Sequence, residues 1–581
     1  MRHDKASALL CRFYVEKCRK MMYNIIGEMY AESMKEVMSL SEMTRKKSFR
    51  ERLVRLLDDP AAFRLITLLV MYCDIRYLSA PVFYSAMAIL TVWSGFLLVR
   101  QLYVKKRIMR VKFRRIIFIF LLFALLTVSL HSEINLLQNM FTLYWIVVCF
   151  FLFYGIHSEK SNGRIRKEIK RLFDVLILIT DMTMLAGLVV FAFFPKGLSL
   201  MGFEFGIMEG RFVGIIPNAN VTAFYSVICI VMCTMQLRIR RADRSATKKL
   251  RIFYICSIVV NSFVLLITDS NASVVFIIVY LSFLFFYELF KEFNTKKLHT
   301  LVFRLAATAL SCVIVLTSVL FIRVNVQSGV SAVMNKRESD IVISTGLDAN
   351  NDNIKLDKAE VAKKPDAEAE PEQNVIGHQN TNIDSGRFVL WRQALGLIEL
   401  YPLFGIGKDN ISDYGVKDLG GIRYTDLGGN KYVDFHNGLL TITVSFGIVG
   451  LSLFLVLALT VAKAILKSMF KHKVMSRRDG NVLVLIAAFA AAYCVYSMFE
   501  AALFTDYTYR VLIFWLIIGV GLSYVMKYHQ QGIHSSIDPK PLHDDTSELQ
   551  YIRKKFGVFK KLFPKKDEPK SQPINKSDCL A

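Results

Sequence analysis

None of the ten cysteines of this 581-residue chain falls within residues 323–435, its longest stretch without a membrane-length apolar run. They stand scattered at positions 11, 18, 73, 149, 229, 233, 256, 312, 494 and 579. That pattern argues against a disulfide framework and against a cysteine zinc site. Residues 1–20 are too polar for the apolar core of a cleavable leader. No internal repeat divides the chain into two equivalent halves, and no His/Asp/Glu group with metal-ligand spacing stands out, so no metal or cofactor is expected. Acidic residues are scarce as well: 48 Asp and Glu face 73 Lys and Arg, leaving a formal charge of +25. No nucleic-acid module surrounds that charge.

What the chain has in excess is apolar surface. Hydrophobic residues make up 54% of it, with 44 Phe and 24 Tyr, and the mean hydropathy is +0.39. A bilayer core about 30 Å thick needs roughly 20 apolar residues of helix. Runs of that kind predict twelve spans: 62–73, 81–99, 116–130, 136–154, 173–194, 213–235, 252–268, 273–290, 301–322, 437–460, 482–504 and 508–526. With the N-terminus inside, the short inner loops carry 30 basic and 6 acidic residues, and the short outer loops carry 3 basic and 6 acidic. This is a strong positive-inside bias and predicts two cytoplasmic termini. The expected fold is therefore an all-α integral membrane protein of about 12 transmembrane helices. It divides into a cytoplasmic amphipathic region (1–60), helices one to nine (61–322), an extracytoplasmic loop (323–435), helices ten to twelve (436–526) and a basic cytoplasmic tail (527–581) that could lie on anionic headgroups.

The outer loop is of two kinds. Residues 345–380 are polar and acidic with no aromatic residue, and read as a disordered insert. Residues 384–435 are expected to be ordered: Phe388, Trp391, Leu395 and Ile398 recur at helical spacing, Tyr401-Pro402 ends the helix, and a glycine cluster follows. Arg387 falls in the first turn of that helix, where a cation opposes the dipole unless an anion is shared there; an ion pair with Asp384 is the plain alternative. The topology gathers further polar residues on the outer side: Arg211, Asn218 and Asn220, the Thr268-Asp269-Ser270-Asn271 turn, His436-Asn437, and the group Glu500, Asp506 and Arg510, which could be a mere interfacial salt bridge. Two arginines suit a diphosphate, and a histidine suits proton transfer near neutral pH.

Several segments together resemble the bacterial O-antigen ligase/polymerase family. They are Ser385-Gly386-Arg387-Phe388-Val389-Leu390-Trp391-Arg392 followed by Tyr401-Pro402-Leu403-Phe404-Gly405-Ile406-Gly407, then His436-Asn437-Gly438-Leu439-Leu440 with Phe446-Gly447-Ile448-Val449-Gly450. Upstream, Gly210-Arg211-Phe212-Val213-Gly214 and Pro217-Asn218-Ala219-Asn220 complete the set. Members often carry Ser-Arg where Ser270-Asn271 stands, so a cationic role at that turn is left open. The resemblance implies a glycosyltransferase of a bacterial cytoplasmic membrane that moves glycan from a polyprenyl-diphosphate carrier to an acceptor hydroxyl, without a metal. Arg211 and Arg387 would bind the diphosphate and His436 would activate the acceptor. Asn437, Asn218, Asn220, Ser270, Trp391 and Arg392 are the expected substrate-binding residues. Partners would be the lipid-linked donor, a glycan or lipid acceptor, and membrane lipids. Polymerisation of a surface polysaccharide is taken first and ligation second. The alternative class is a polytopic transporter of a lipid-linked or small anionic substrate, for which Asp181 is the clearest midmembrane carboxylate.

Overall fold

The computed structural model describes residues 54–77, 79–159, 162–194, 198–200, 203–208, 210–216, 218–290, 298–345, 387–420, 435–470, 477–503 and 507–531. The N-terminal region, almost all of the 345–380 insert, Asp384, Pro217, Asp506 and the basic tail lie outside the described residues.

Among the described residues 85% are helical. The helices are α1 (Pro60–Tyr77), α2 (Ala80–Val99), α3 (Arg114–Leu130), α4 (Leu136–Val148), α5 (Asn162–Phe193), α6 (Ala219–Ala242), α7 (Lys248–Ile267), α8 (Asn271–Phe290) and α9 (Leu298–Thr345). Then come α10 (Arg387–Leu400), α11 (Ile411–Leu419), α12 (Gly438–Phe470), α13 (Arg477–Tyr496) and α14 (Tyr509–Gln531). Every expected span overlaps one of them. Among the described residues nine helices are long and apolar enough to cross a membrane, joined by the shorter apolar helices Pro60–Cys73 and Gly480–Tyr496. The protein is a multi-pass membrane protein.

Burial sorts these helices. Val511, Leu512, Ile513 and Leu516 of α14 are all fully buried, so α14 is a central helix, apolar all round because protein surrounds it. By contrast Leu310, Phe321 and Val324 of α9 are 61%, 71% and 60% exposed, the pattern of a helix facing lipid. Inside the bundle, Asp181 of α5 accepts from Ser257 Oγ at 2.8 Å and Asn261 Nδ2 at 2.7 Å, both on α7. The midmembrane carboxylate thus ties α5 to α7.

The structure adds one element to the expected fold and moves three span ends. The mostly helical membrane fold carries one small non-helical addition: β1 (Leu198–Leu200), β2 (Phe203–Met208) and β3 (Arg211–Gly214) form an antiparallel sheet in the order β1-β2-β3, with Leu198 opposite Phe205 and Ile207 opposite Phe212. Span six consequently starts at Ala219 rather than 213, where Asn218 caps α6 by accepting from the Val221 N–H at 3.1 Å. Helix α9 runs on to Thr345 instead of stopping at 322, and α13 ends at Tyr496 instead of 504. Mostly apolar residues at 213–216 and 498–503 carry a hydropathy run past the helix, and polar residues from 323 end it early, because hydropathy sees composition and not hydrogen bonding.

The described loop residues pack onto the same end of the bundle as β3. Helices α10 and α11 enclose a small core of Leu390, Ala394, Leu397, Ile406, Ile411 and Tyr414 with Phe435 and Val444. Polar bonds fasten it to the α3–α4 turn and to α4: His131 Nδ1 to Tyr414 Oη at 2.7 Å, Asn139 Nδ2 to Asn410 Oδ1 at 2.9 Å, and Thr142 Oγ1 to Asp409 Oδ2 at 2.7 Å. Below them α12 is broken at Gly447 (φ 65°, ψ −177°). The break frees the Val444 and Ser445 carbonyls, and the Tyr401–Gly407 segment supplies their partners through Ile406 N–H (2.9 Å) and Gly407 N–H (2.9 Å). Pro402 carbonyl in turn accepts from Ile448 N–H at 2.8 Å. A broken helix at membrane depth is tolerated because neighbouring backbone supplies these bonds.

Candidate functional site

At the end of the bundle that carries the loop, four ionisable side chains converge: Arg387 of α10, His436 just before α12, Glu500 of the α13–α14 turn and Arg510 of α14. Glu500, in the turn between α13 and α14, is buried; its Oε1 lies 3.5 Å from Arg387 Nη2, and its Oε2 lies 3.5 Å from His436 Nδ1 and 3.1 Å from Arg510 Nη1. Burial alone would push the Glu500 carboxyl up. The facing His436 ring and the charges of Arg510 and Arg387 outweigh it and hold the group at about 2. Glu500 is therefore a carboxylate at neutral pH. One negative charge against two guanidinium groups leaves the cluster with a positive surplus, which attracts an anion.

Local structure aims each member. Arg387 is the first residue of α10, and one turn on, Trp391 donates its indole N–H to the Phe435 carbonyl at 3.2 Å. That bond ties α10 to the residue before His436. His436 itself takes a left-handed backbone (φ 47°), which is uncommon for a non-glycine residue. Asn437 then caps α12, its Oδ1 accepting from the N–H groups of Leu439 (3.0 Å) and Leu440 (3.1 Å). Gly438 N–H donates to Ser497 carbonyl at 2.6 Å, fixing the start of α12 against the Glu500 turn. With Nδ1 turned to Glu500, the other ring nitrogen of His436, Nε2, points away from the carboxylate, and the side chain is 28% exposed.

A second cluster surrounds Arg211, the first residue of β3. Its Nε donates to Thr268 carbonyl at 3.2 Å, and its Nη2 to Asn220 Oδ1 at 2.8 Å and Asp269 carbonyl at 3.4 Å. The strand is pressed close to α5: a Cβ on Gly187 would come 2.8 Å from Gly214 Cα, so only glycine pairs allow this approach. One ring layer joins the two clusters. Phe224, a turn below Asn220, packs on Tyr496 at 5.1 Å, and the Tyr496 hydroxyl accepts from Arg510 Nη1 at 3.5 Å.

The expected site residues thus divide. Arg387 and His436 meet on one carboxylate. Arg211 and Asn220 are bonded to each other, a ring layer away. Asn437 and Asn218 cap helices, and Ser270, fully buried, donates to Ser273 Oγ at 3.3 Å. Trp391 uses its indole N–H on the backbone, and Arg392 is exposed, away from the buried Leu390–Ala394 side of α10. Glu500 and Arg510 were visible in the sequence as polar residues at an outer turn, but nothing there assigned them to His436. Arg323 escaped notice altogether: it reaches from α9 to the turn at Asp269 and Asn271.

Residues 256–455 match the family model described as O-antigen ligase. The match contains Arg387, His436, Asn437, Ser270, Trp391 and Arg392, while Arg211, Glu500 and Arg510 lie outside it. No curated protein matches the chain.

Proposed function

We propose, from the premise that residues 256–455 are an O-antigen ligase domain in a multi-pass membrane protein of surface polysaccharide synthesis, that the chain transfers glycan from a polyprenyl-diphosphate carrier to an acceptor hydroxyl on the outer face of a bacterial cytoplasmic membrane. The observation that carries this reading is the convergence of Arg387 and His436 on buried Glu500, each at 3.5 Å.

The chemistry follows from that geometry. Arg211 and Arg387 hold the donor diphosphate. His436 Nε2 takes the proton of the acceptor hydroxyl as its oxygen attacks the anomeric carbon. The bond from that carbon to the diphosphate oxygen breaks, and the electron pair leaves with the diphosphate. Charge grows on the leaving group as the bond breaks, so fixed guanidinium groups stabilise the transition state more than the ground state. Glu500, facing Nδ1, fixes the ring orientation and stabilises the imidazolium that forms. Positioned general-base catalysis of this kind is worth about 10²–10⁴ in rate. Trp391 and Asn437 support the reading by aiming Arg387 and His436, and Asn218, Asn220, Ser270 and Arg392 remain proposed substrate contacts.

The basic loops at the opposite end of the bundle favour the outer face for this site. The transporter alternative finds no support in Asp181, whose Oδ1 is occupied by Ser257 and Asn261.

The test is single-turnover glycan transfer from a polyprenyl-diphosphate oligosaccharide by purified protein. His436→Ala is expected to lose turnover and keep donor binding. Wild-type transfer by that variant across pH 6 to 9 would remove the general-base role. Polymerisation is placed ahead of ligation, and electrophoresis of surface glycan from a deletion strain separates them. Lipid-linked single repeats mark a lost polymerase; full-length chains left on the carrier mark a lost ligase.

A further inference from the structure

Two arginines from distant parts of the chain grip one turn from opposite sides. The turn joins α7 to α8 through Thr268, Asp269 and Ser270. Its carbonyls at Thr268 and Asp269 accept from Arg211 at 3.2 and 3.4 Å. Its side chains face α9: Arg323 Nη1 donates to Asn271 Oδ1 at 2.9 Å, and Arg323 Nη2 pairs with Asp269 Oδ1. One turn along α9, Gln327 Nε2 donates to Asp269 Oδ1 at 3.1 Å and to Leu266 carbonyl at 2.9 Å. Asp269 is 5% exposed and has a left-handed backbone, φ 55°.

That backbone conformation is costly for a residue with a Cβ and persists only when its surroundings impose it. Here the surroundings are the Arg323 and Gln327 donors on its carboxylate. Should Asp269 relax to an ordinary backbone, its peptide plane would turn and its carbonyl would leave Arg211. The guanidinium would then pivot on Asn220, and a planar fork turned out of register no longer matches a diphosphate.

We propose that Arg323 is a positioning residue for Arg211. It acts through Asp269, whose left-handed turn it holds, and so sets the orientation in which Arg211 meets the donor diphosphate. The inference rests on the reading above that Arg211 binds that group. It gives α9 a part in the site: a helix otherwise exposed to lipid carries two polar side chains on the face that meets the α7–α8 turn.

The experiment measures binding of undecaprenyl diphosphate and single-turnover transfer on purified protein with Arg323→Gln, Arg211→Lys and the two together. Arg323→Gln is expected to weaken binding about tenfold, with Arg323→Lys recovering part of the loss. Because one residue works through the other, the double variant should lose no more than Arg211→Lys alone; independent contributions would multiply. Likewise Asp269→Asn combined with Arg323→Gln should equal the worse single variant. Wild-type affinity in Arg323→Gln, or multiplied losses in the Arg211→Lys pair, overturns the inference while leaving the diphosphate reading intact. Wild-type affinity and transfer in Arg211→Lys overturn both. If Arg323→Gln does not give monodisperse protein, Gln327→Ala removes only one donor to Asp269 and carries the same comparison with a smaller expected loss.

Discussion

Gly447 and Gly405 are fitted into each other's backbone. A Cβ on Gly405 would come 2.5 Å from Val444 carbonyl, and one on Gly447 would overlap Leu403 carbonyl and come 2.6 Å from Phe404 nitrogen. Both glycines also have left-handed φ, 67° and 65°. These two residues belong to segments that resemble family motifs in sequence, and in the structure they are two sides of one joint.

Gly447→Ala should therefore abolish folded, monodisperse protein, because backbone cannot yield as a flexible side chain can. Gly329→Ala in α9 is the control. Nothing lies within 4 Å of its would-be Cβ, and stability should hold or rise by about 0.5–1 kcal/mol. Size-exclusion profiles and thermal unfolding of the two variants make the comparison. Normal folding of Gly447→Ala would show that the joint can open.

Removing the carboxylate of Glu500 leaves Arg387, Arg510 and His436 crowded without their counter-charge. Glu500→Gln is expected to cost roughly 3–5 kcal/mol of stability, the usual consequence of breaking a buried ion pair from one side. Turnover should fall more steeply than donor binding, because the lost group faces His436 and not the diphosphate. Thermal unfolding and single-turnover rates measure the two effects; a variant with wild-type stability would mean the cluster is solvated.

The same carboxyl fixes an acid dependence. Its pKa is lowered from an ordinary 4.5 to about 2, so the folded state favours the ionised form. The resulting stabilisation is complete above about pH 4.5 and is lost as pH falls toward 2. The stability gap between wild type and Glu500→Gln should stay constant from pH 7 to 5 and shrink below 4.5. A gap that closes already between pH 7 and 5 would contradict the assignment.

Orientation can be tested at two exposed positions on opposite ends of the bundle. In a background without native cysteines, Val416→Cys on α11 should react with an impermeant maleimide in intact cells, and Lys248→Cys only after lysis. The reverse pattern would put the site on the cytoplasmic side.

The helices were legible because an apolar run of membrane length leaves few other solutions for its backbone. Legibility failed where polarity and structure part company. Arg323, Asn325 and Gln327 look like the start of a loop, yet they continue α9 because Gln327 and Arg323 find partners on the α7–α8 turn. Val213 looks like the start of a span, yet it belongs to β3, whose Phe212 lies edge-on to Phe191 at 5.5 Å. In the site, Arg387 and His436 drew notice as odd residues at helix starts. Their meeting at Glu500 could not be read, since it joins positions far apart in sequence through tertiary packing alone.

The placement of Glu500 also bears on how the site comes into being. Synthesis runs from N- to C-terminus, so Arg387 and His436 reach the membrane before the α13–α14 turn exists. Until that last hairpin inserts, Arg387 and His436 have no Glu500 to draw them together, and Asn437-Gly438 lacks the Ser497 carbonyl that anchors it. A nascent or truncated chain would carry nearly all of the recognisable motifs and still lack an assembled centre. On the proposed function, activity would be tied to completion of that membrane hairpin.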